Sequence, residues 1–238
     1  MKNLLSVITV NFNNVSGLER TLKSVNSLEI YYEHIIVDGG SSDDSCRLIR
    51  EYSKDRANVV FIIEPDKGPY DAMNKGLDLS SGDFVWFLNS GDDFTGKRFP
   101  ITEYSRDHLL AIPVDRIARY RAYRKRTKYK FRDIRITMPY NHQGIIFPNS
   151  DLRFDLTYEI AADYDFICKH DLPLKKSEWS ELTVLYEGGG LSYIKSFEKY
   201  NELQSIASKF SKNNINKFLI VVYYLYKKLR YRIYEFIF

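Results

Sequence analysis

Four short apolar stretches alternate with helix-like segments over the first ninety residues, and this alternation constrains the fold more than any other feature. The stretches run from Leu4 to Asn11, from His34 to Val37, from Val59 to Glu64 and from Asp83 to Leu88. Strands separated by helices of this length predict βαβ units, with right-handed crossovers and a mostly parallel sheet. The chain is therefore predicted to be an α/β protein.

A polar cluster follows each of these four strands. The clusters are Asn11 with Asn13, Asp38 to Ser41, Glu64 to Gly68, and Asn89 to Asp93. In open α/β sheets, ligands bind beyond the carboxyl ends of the strands. We therefore expect the four clusters to lie at one rim of the sheet and to form a ligand site.

The fourth strand leads into a turn that ends in two acids, Asp92 and Asp93. Its apolar residues, Phe84 to Leu88, predict a strand that is buried on both faces. Adjacent carboxylates at such a strand end can bind a hard divalent cation, which in turn binds phosphate oxygens. An ordinary turn without a ligand is the alternative, because Asp and Gly are common turn residues.

The composition is that of a folded globular protein, with 44% hydrophobic and 28% charged residues among 238. The two cysteines, Cys46 and Cys168, fall in predicted helices and form no disulfide or zinc pattern, which fits a reducing cytosol. We find no signal-peptide pattern and no apolar run of about 18 residues that would predict a membrane span. A cytoplasmic location is therefore expected.

The pattern becomes irregular after Phe94. Residues Arg116 to Arg135 mix basic residues with Tyr and Phe, and alternation from Tyr129 to Ile136 predicts a hairpin with one cationic face. A helix is predicted to begin near Ala161, Glu187 to Ser192 forms a loop, and a further helix runs from Ser196 to about Ser211.

The C-terminal tail, Asn216 to Phe238, contains an apolar and aromatic run from Phe218 to Tyr226, followed by a basic segment from Lys227 to Arg232. Two interpretations remain open at this point. The tail is either a helix lying in the plane of a membrane interface or a terminal helix packed on the domain with a basic outer face.

Four motifs in order closely resemble family 2 glycosyltransferases of the GT-A fold, which assemble bacterial capsule, O-antigen and exopolysaccharide. They are Thr9-Val10-Asn11-Phe12-Asn13, Val37-Asp38-Gly39-Gly40-Ser41-Ser42-Asp43, Asp66 to Gly76, and Phe87-Leu88-Asn89-Ser90-Gly91-Asp92. The resemblance is strong over residues 4–95 and weaker over 139–192.

The resemblance implies a Rossmann-like, mostly parallel central sheet with flanking helices, a smaller acceptor-side part and a C-terminal helical tail. We accordingly expect a nucleotide-sugar-binding half over residues 1–97, an acceptor-binding half of the same domain over 98–212, and a basic aromatic tail over 213–238.

The resemblance also implies a nucleotide-sugar donor, with UDP as the expected nucleotide. Asp71 and Asn74 lie three residues apart and would share one face of a helix, although helix capping is a competing explanation for Asp71. The residues expected to bind the donor are Thr9, Asn11, Asn13, Asp38, Gly39, Asp66, Lys67, Asp71, Asn74 and Asn89.

The metal motif departs from the family pattern. The usual Asp-x-Asp is replaced by Asn89-Ser90-Gly91-Asp92-Asp93, so only one or two carboxylates remain. Asp92 is expected to bind Mg²⁺ or Mn²⁺, with Asp93 as its substitute, and the diphosphate of the donor would supply further oxygens.

On the acceptor side, Ala162-Asp163-Tyr164-Asp165-Phe166 resembles the acidic pair that supplies the family's catalytic base. Asp163 is the first choice for this base and Asp165 the second. His142, Gln143 and Gly189 are expected to line the acceptor side. An exposed acid stabilised by the dipole at a helix start is the alternative for Asp163.

These expectations describe an inverting hexosyl- or N-acetylhexosaminyltransferase that acts on a lipid-linked or growing saccharide, with the tail contacting the inner face of the cytoplasmic membrane. Two alternatives fit the sequence less well. A sugar-phosphate nucleotidyltransferase would need a Gly-rich, basic loop after the first strand, where this chain has Asn11-Phe12-Asn13-Asn14. A nucleic-acid binder using residues 116–135 would leave the four polar strand ends unexplained, so no nucleic-acid partner is expected.

Overall fold

A computed structural model of the chain describes residues 5–96, 105–116, 138, 141–177, 182–186 and 196–237. The predicted hairpin at 129–136 and the loop at 187–192, which includes Gly189, lie outside these residues. The described strands are β1 (Leu5–Asn11), β2 (Tyr32–Asp38), β3 (Val59–Ile63), β4 (Phe84–Phe87), β5 (Asp93–Thr95), β6 (Leu109–Ala111), β7 (Val114–Arg116), β8 (Ile145–Pro148), β9 (Leu174–Lys176) and β10 (Thr183–Tyr186). The helices are α1 (Val15–Val25), α2 (Ser45–Ser53), α3 (Pro69–Leu79), α4 (Ala162–Lys169), α5 (Ser196–Phe210) and α6 (Asn214–Ile237).

The chain forms two compact units. The first comprises residues 1–128, 140–154 and 172–188, and the second comprises 129–139, 155–171 and 189–238. The units are interleaved along the sequence, because β8, β9 and β10 return to the sheets of the first unit. The functional division after residues 97 and 212 stays a prediction.

A mostly parallel sheet organises the first unit, as the alternation of strands and helices predicts. In the described residues it has seven strands in the order β3-β2-β1-β4-β8-β6-β9. The first four strands of the chain run parallel to one another, whereas β8 is antiparallel to β4 and β6. A second sheet, in the order β5-β10-β7, lies in the same unit.

The fourth strand is buried along its whole length, as its apolar sequence predicts. Trp86 is fully buried in a cluster with Phe94 and Ile146, and its indole N–H donates to the backbone oxygen of Gln143 at 2.7 Å. This bond joins β4 to the turn before β8. It satisfies the one polar atom of a side chain that otherwise packs as a hydrocarbon.

Helix α1 begins earlier than its sequence suggests. Ser16 and Glu19 have the spacing of a capping box, which predicts a helix that opens at Ser16. The helix instead starts at Val15 and Asn14 is the cap, with its side-chain oxygen accepting from the Gly17 N–H at 3.2 Å. Glu19 instead pairs with Lys23 one turn further on, at 2.7 Å. The expectation was wrong because Asn14 is itself a good cap.

The second unit is helical in the residues that the structure describes. Helices α4, α5 and α6 share a core that includes Tyr164, Ile206 and Tyr224. Within the described part of the chain, α6 included, we find no helix with the length and apolar character needed to cross a membrane.

Candidate active site

The ends of β1 and β2 lie side by side and are joined through Asp38. Asn11 is the register partner of Asp38, and its Nδ2 donates to the Asp38 carboxylate at 2.7 Å. The same carboxylate accepts from the Ser41 hydroxyl at 2.8 Å and from the backbone N–H groups of Gly40 and Ser41 at 3.1 and 2.7 Å. Since Asp38 is fully buried, these bonds identify it as the residue that shapes the loop after β2.

This geometry gives Asp38 a role within the protein itself. A carboxylate offers about four acceptor positions, and those of Asp38 are taken by the protein's own donors. The residue lies at the rim, as its position after a strand predicts, but it holds Asn11 and the following loop in place. These bonds show a positioning role for Asp38, and its direct contact with a donor stays a prediction.

Two buried oxygens at this rim are available to a ligand. Among the described residues, Oδ1 of Asn11 and Oδ1 of Asn89 have no hydrogen-bond partner. Buried polar atoms in native proteins normally have one. The two asparagines follow β1 and β4, which are neighbours in the sheet. A ligand that donates hydrogen bonds at this rim would satisfy both.

Thr9 lies deeper than a donor-binding residue should. Its hydroxyl is fully buried, donates to the Leu88 carbonyl at 2.9 Å and lies 3.0 Å from Nε2 of His34. Burial lowers the pKa of His34 to about 3, so the ring is neutral. Because the Thr9 hydroxyl donates to Leu88, it can accept from the Nε2–H tautomer of His34. In this structure Thr9 holds Leu88, the residue that precedes Asn89, and its contact with the donor stays a prediction.

Phe12 is an exposed aromatic residue at the end of β1 that the sequence did not single out. Its side chain is 64% exposed. A Cβ atom on Gly39 would lie 3.2 Å from the Phe12 ring and 2.5 Å from Oδ2 of Asp66. A side chain at position 39 would therefore displace the end of Asp66 or the Phe12 ring, both of which lie close to the bare backbone of Gly39. The sequence feature that could have identified Phe12 is its position as an aromatic residue in an otherwise polar loop.

Asn13 is used within the same rim. It adopts a left-handed conformation with φ +48°, which Asn tolerates well. Its Oδ1 accepts from the Ser42 N–H at 2.8 Å, and its own N–H donates to the Ser41 hydroxyl at 2.8 Å. The side chain thus ties the β1 loop to the β2 loop.

Asp66 and Asp71 shape the turn before α3. Oδ1 of Asp66 accepts from the Gly68 N–H at 2.8 Å, and Oδ2 of Asp71 accepts from the Lys67 N–H at 3.0 Å. The second contact favours the capping explanation for Asp71. The side chain of Lys67 is exposed at the same turn.

The side chain of Asn74 binds the backbone of Phe154, in another part of the first unit. Its Oδ1 accepts from the Phe154 N–H at 2.8 Å, and its Nδ2 donates to the Phe154 carbonyl at 3.0 Å. Both polar atoms therefore hold the backbone that follows β8. These bonds give Asn74 a structural role, and its contact with the donor stays a prediction.

The turn after β4 is tight and carries Asp92 inward. The Asp92 N–H donates to the Asn89 carbonyl at 2.9 Å, and Gly91 adopts φ +100°, a conformation that favours glycine. The Asp92 side chain is almost fully buried, with 3% exposed. Residues 89 and 92 therefore project from one compact turn.

Helix α1 clamps this turn through Thr21, which the sequence reading missed. The Thr21 hydroxyl donates to the Asp92 carbonyl at 2.6 Å and accepts from the Gly91 N–H at 3.1 Å. One turn further on, the hydroxyl of Ser24 accepts from the Phe94 N–H at 3.2 Å. The sequence feature that could have identified Thr21 and Ser24 is the presence of two hydroxyl residues on the buried face of an amphipathic helix.

Replacing Thr21 by valine is expected to weaken metal-dependent nucleotide binding and to lower the free energy of unfolding by about 1–3 kcal/mol, because buried partners lose their hydrogen bonds. Calorimetric titration and urea unfolding measure the two effects. Thr21→Ser keeps the hydroxyl and should behave nearly as wild type, and Thr95→Val, an exposed site in β5, is the control. Unchanged metal dependence in Thr21→Val would contradict the clamp.

The predicted metal ligands are few. Within the described residues, no group of three or more His, Cys, Asp or Glu side chains is arranged to hold a metal. The Asp93 carboxylate accepts the N–H of its own neighbour Phe94 at 2.6 Å. Asp92 and the unpartnered Oδ1 of Asn89 are hard oxygen donors of the kind that Mg²⁺ and Mn²⁺ prefer. These residues fit such an ion if phosphate oxygens complete its coordination.

His142 reaches this turn from a distant part of the sequence. Its Nε2 lies 3.4 Å from Nδ2 of Asn89, so the structure brings together two residues that were expected on the acceptor and donor sides. Gln143 is buried, with 5% exposed, and its backbone oxygen receives the Trp86 indole. Of the predicted acceptor-side residues, His142 is thus the better placed for contact with a ligand.

The two acids of α4, in the second unit, differ in their surroundings. Asp165 is fully buried, and its carboxylate pairs with Lys169 at 2.7 Å and with Lys209 at 2.8 Å. The hydrogen bond to Asp165 raises the pKa of Lys209. Asp163, in the first turn of the helix, is 8% exposed and accepts the N–H of Tyr164 at 2.9 Å. The negative charge of Asp165 is thus balanced by two lysines.

Glu202 of α5 caps α4 from outside. Its carboxylate accepts the backbone N–H groups of Glu159, Ile160 and Ala161 at 2.9, 2.9 and 2.8 Å. Helix α4 is preceded by Ala161, whose side chain cannot cap. Ala161 and Ala162 have no polar side chain, so the backbone N–H groups at this point need an acceptor from elsewhere in the chain. These two alanines were the sequence signal for such an acceptor.

The fold and the rim define a GT-A-type α/β protein. The chain superposes on Staphylococcus aureus TarS 1–349 in complex with UDP-GlcNAc with a TM-score of 0.67 and 18% identity, covering 93% of this chain and 71% of that one. The mannosyltransferase PcManGT from Pyrobaculum calidifontis, in complex with GDP-Man and Mn²⁺, gives a TM-score of 0.67 and 13% identity, covering 94% and 70%. At these identities the likeness establishes the fold.

Residues 6–160 match Glycosyl transferase family 2, and the chain belongs to this family of glycosyltransferases. It is 35% identical over 186 residues to an uncharacterized glycosyltransferase of Mycobacterium tuberculosis, covering 69% of this chain and 68% of the relative. It is 36% identical over 92 residues to the GalNAc(5)-diNAcBac-PP-undecaprenol beta-1,3-glucosyltransferase of Campylobacter jejuni, covering 37% and 30%. The chain spans 43% of the longer TarS chain.

Proposed function

We propose that this glycosyltransferase moves a sugar from a UDP-sugar to a hydroxyl of a lipid-linked or growing saccharide of the bacterial surface, with inversion at the anomeric carbon. The observation that carries the proposal is the convergence of four strand ends at one rim, where Asn11 and Asn89 keep buried oxygens for a ligand. The named relatives support the saccharide class.

The nucleoside end of the donor would bind beside Phe12. The exposed ring offers a face on which a base can stack, and the adjacent Asp66 carboxylate can accept hydrogen bonds from the base or ribose. Oδ1 of Asn11 supplies a further acceptor at the same rim. The exposed Lys67 would contact the phosphates.

The diphosphate would bind at the turn from Asn89 to Asp92. Asp92 would bind Mg²⁺ or Mn²⁺ together with phosphate oxygens, and the metal would balance the negative charge of the departing nucleoside diphosphate. The Asn89 oxygen would bind the ion or a water molecule on it. Since the protein supplies few ligands, metal affinity should depend strongly on the nucleotide.

Asp163 would act as the general base, taking the proton of the acceptor hydroxyl as that oxygen attacks the anomeric carbon. This role rests on the motif in which Asp163 stands. It is supported by the contrast with Asp165, whose carboxylate is occupied by Lys169 and Lys209. His142 would contact the sugars from the side of Asn89.

A thermal-shift panel of nucleotide sugars, with and without Mn²⁺, tests the donor class. Ligands that bind the folded state raise its stability by mass action, by about 2.7 kcal/mol at a hundredfold excess over Kd. We expect a shift with UDP-sugars that is larger in the presence of Mn²⁺, and a smaller one with ADP- or CMP-sugars. Equal shifts for all nucleotides, or none, would contradict the proposal.

A further inference from the structure

The C-terminal helix α6 has two apolar faces that point in opposite directions. One face is buried: Ile220 and Tyr224 are each 1% exposed and pack in a core with Leu203 and Ile206 of α5. This contact accounts for how the helix is held in the second unit. It leaves unexplained why the opposite face is also apolar.

The opposite face forms what we call the outer stripe. Ile215, Phe218 and Leu229 are 73%, 68% and 60% exposed. Helical geometry places the stripe within an arc of about 120°, centred opposite the buried face, and gives it a length of about 21 Å. Its members are Ile215, Phe218, Leu219, Val222, Leu225, Tyr226 and Leu229.

A continuous apolar surface of this size marks an interaction site. Apolar and aromatic residues at seven neighbouring positions of one helix face, five of them leucine, isoleucine or phenylalanine, exceed the scattered apolar residues of an ordinary protein surface. The expected basic outer face of a packed terminal helix is therefore not what the structure shows. Apolar residues occupy the centre of that face.

Charge identifies the partner. Residues 214–232 contain five cations and no acid: Lys217, Lys227, Lys228, Arg230 and Arg232. On a helical projection, Arg230 and Arg232 border the outer stripe on its two sides. Both are exposed, and the Arg232 guanidinium lies 5.1 Å from the centre of the Phe197 ring of α5. The partner should thus be apolar at its centre and anionic at its margin, as a bilayer with acidic headgroups is.

A second copy of the chain fits this surface less well. The spacing of Ile215, Phe218, Val222, Leu225 and Leu229 is also that of a coiled-coil seam. Two such helices would bring their cations together without an acid in the segment to pair with them, and like charges on adjacent helices are destabilising. The charge pattern therefore favours lipid.

We propose that the outer stripe lies in the interface of an anionic membrane, with Phe218 and Leu225 among the acyl chains and Arg230 and Arg232 at the headgroups. This inference rests on the proposed function, since it holds the enzyme at the surface where a lipid-linked acceptor would be found. The proposal predicts that helix α6 lies in the plane of the membrane.

Vesicle flotation of the full chain tests the proposal. We expect recovery with vesicles that contain phosphatidylglycerol and little with pure phosphatidylcholine. Phe218→Ser with Leu225→Ser should lower vesicle affinity at least about tenfold, because two large apolar side chains no longer transfer from water. Arg230→Gln and Arg232→Gln should each cost about fivefold on anionic vesicles. Leu156→Ser, at a residue that is 46% exposed elsewhere in the second unit, is the matched control.

Flotation of the double serine variant at the wild-type level would overturn the proposal. A second result would also overturn it: wild type fails to float, and sedimentation equilibrium shows a wild-type dimer that the double serine variant dissociates. The stripe would then bind a second copy of the chain. The variant should keep the wild-type thermal shift with UDP-sugar and Mn²⁺. Flotation without any nucleotide shift in wild type would refute the proposed function and leave the membrane site standing.

Discussion

Replacing Asp163 by asparagine is expected to lower the rate of sugar transfer by about 10²- to 10⁴-fold, the usual contribution of a general base. Asparagine keeps the shape of the side chain and can still accept the N–H of Tyr164, as Asp163 does at 2.9 Å. Folding and nucleotide binding should therefore remain near wild type, so the loss falls on kcat. Steady-state kinetics, calorimetric nucleotide titration and thermal melting measure the three quantities.

Glu198→Gln provides the control for Asp163→Asn, because Glu198 is an exposed acid of the same unit and should tolerate the same change without effect. Two outcomes would count against the base assignment. One is transfer that stays within a few-fold of wild type, and the other is a parallel loss of transfer and nucleotide affinity.

Replacing Asp165 by alanine should mainly affect stability. Removing one partner of a buried ion pair costs about 3–5 kcal/mol, because charge is left without compensation. Lys169 and Lys209 retain 25% and 45% exposure, so they can regain water and the loss should lie near the lower end of that range. Urea unfolding followed by circular dichroism measures the change.

The ion pair between Arg153 and Asp78 provides a matched comparison. It has the same short distance, 2.8 Å, but the Asp78 side chain is 65% exposed. Asp78→Ala should therefore cost less than about 1 kcal/mol. If the two substitutions had equal effects on stability, or if Asp165→Ala removed transfer with stability unchanged, the structural role of Asp165 would be refuted.

The location of the site could be predicted from the sequence because sheet topology is a strong constraint. Apolar strands alternating with helices predict parallel neighbours, and parallel neighbours bring their carboxyl ends together. The structure accordingly places Asn11, Asp38 and Asn89 at one rim. The local alternation of strands and helices determines at which edge of the sheet each strand ends. This edge can therefore be predicted without knowledge of any tertiary contact.

Which of these residues face a ligand and which hold the protein's own loops could not be predicted in the same way. Asp38 and Asn74 are polar residues at a rim, yet their side chains hold Asn11 and Phe154. Whether a polar atom faces a ligand or a neighbouring loop depends on contacts between residues that are far apart in the chain. Thr21 and Glu202 were missed for this reason, since their partners lie 71 and 41 to 43 positions away.

The central claim is that the turn from Asn89 to Asp92 binds the diphosphate of a nucleotide sugar through a metal ion. Calorimetric titration of UDP into wild type, Asp92→Ala and Asp93→Ala, each with and without Mn²⁺, tests it most directly. We predict that Mn²⁺ strengthens UDP binding in wild type and in Asp93→Ala, and that Asp92→Ala loses this increase while keeping the metal-independent affinity. A Mn²⁺ effect of wild-type size in Asp92→Ala would contradict the account.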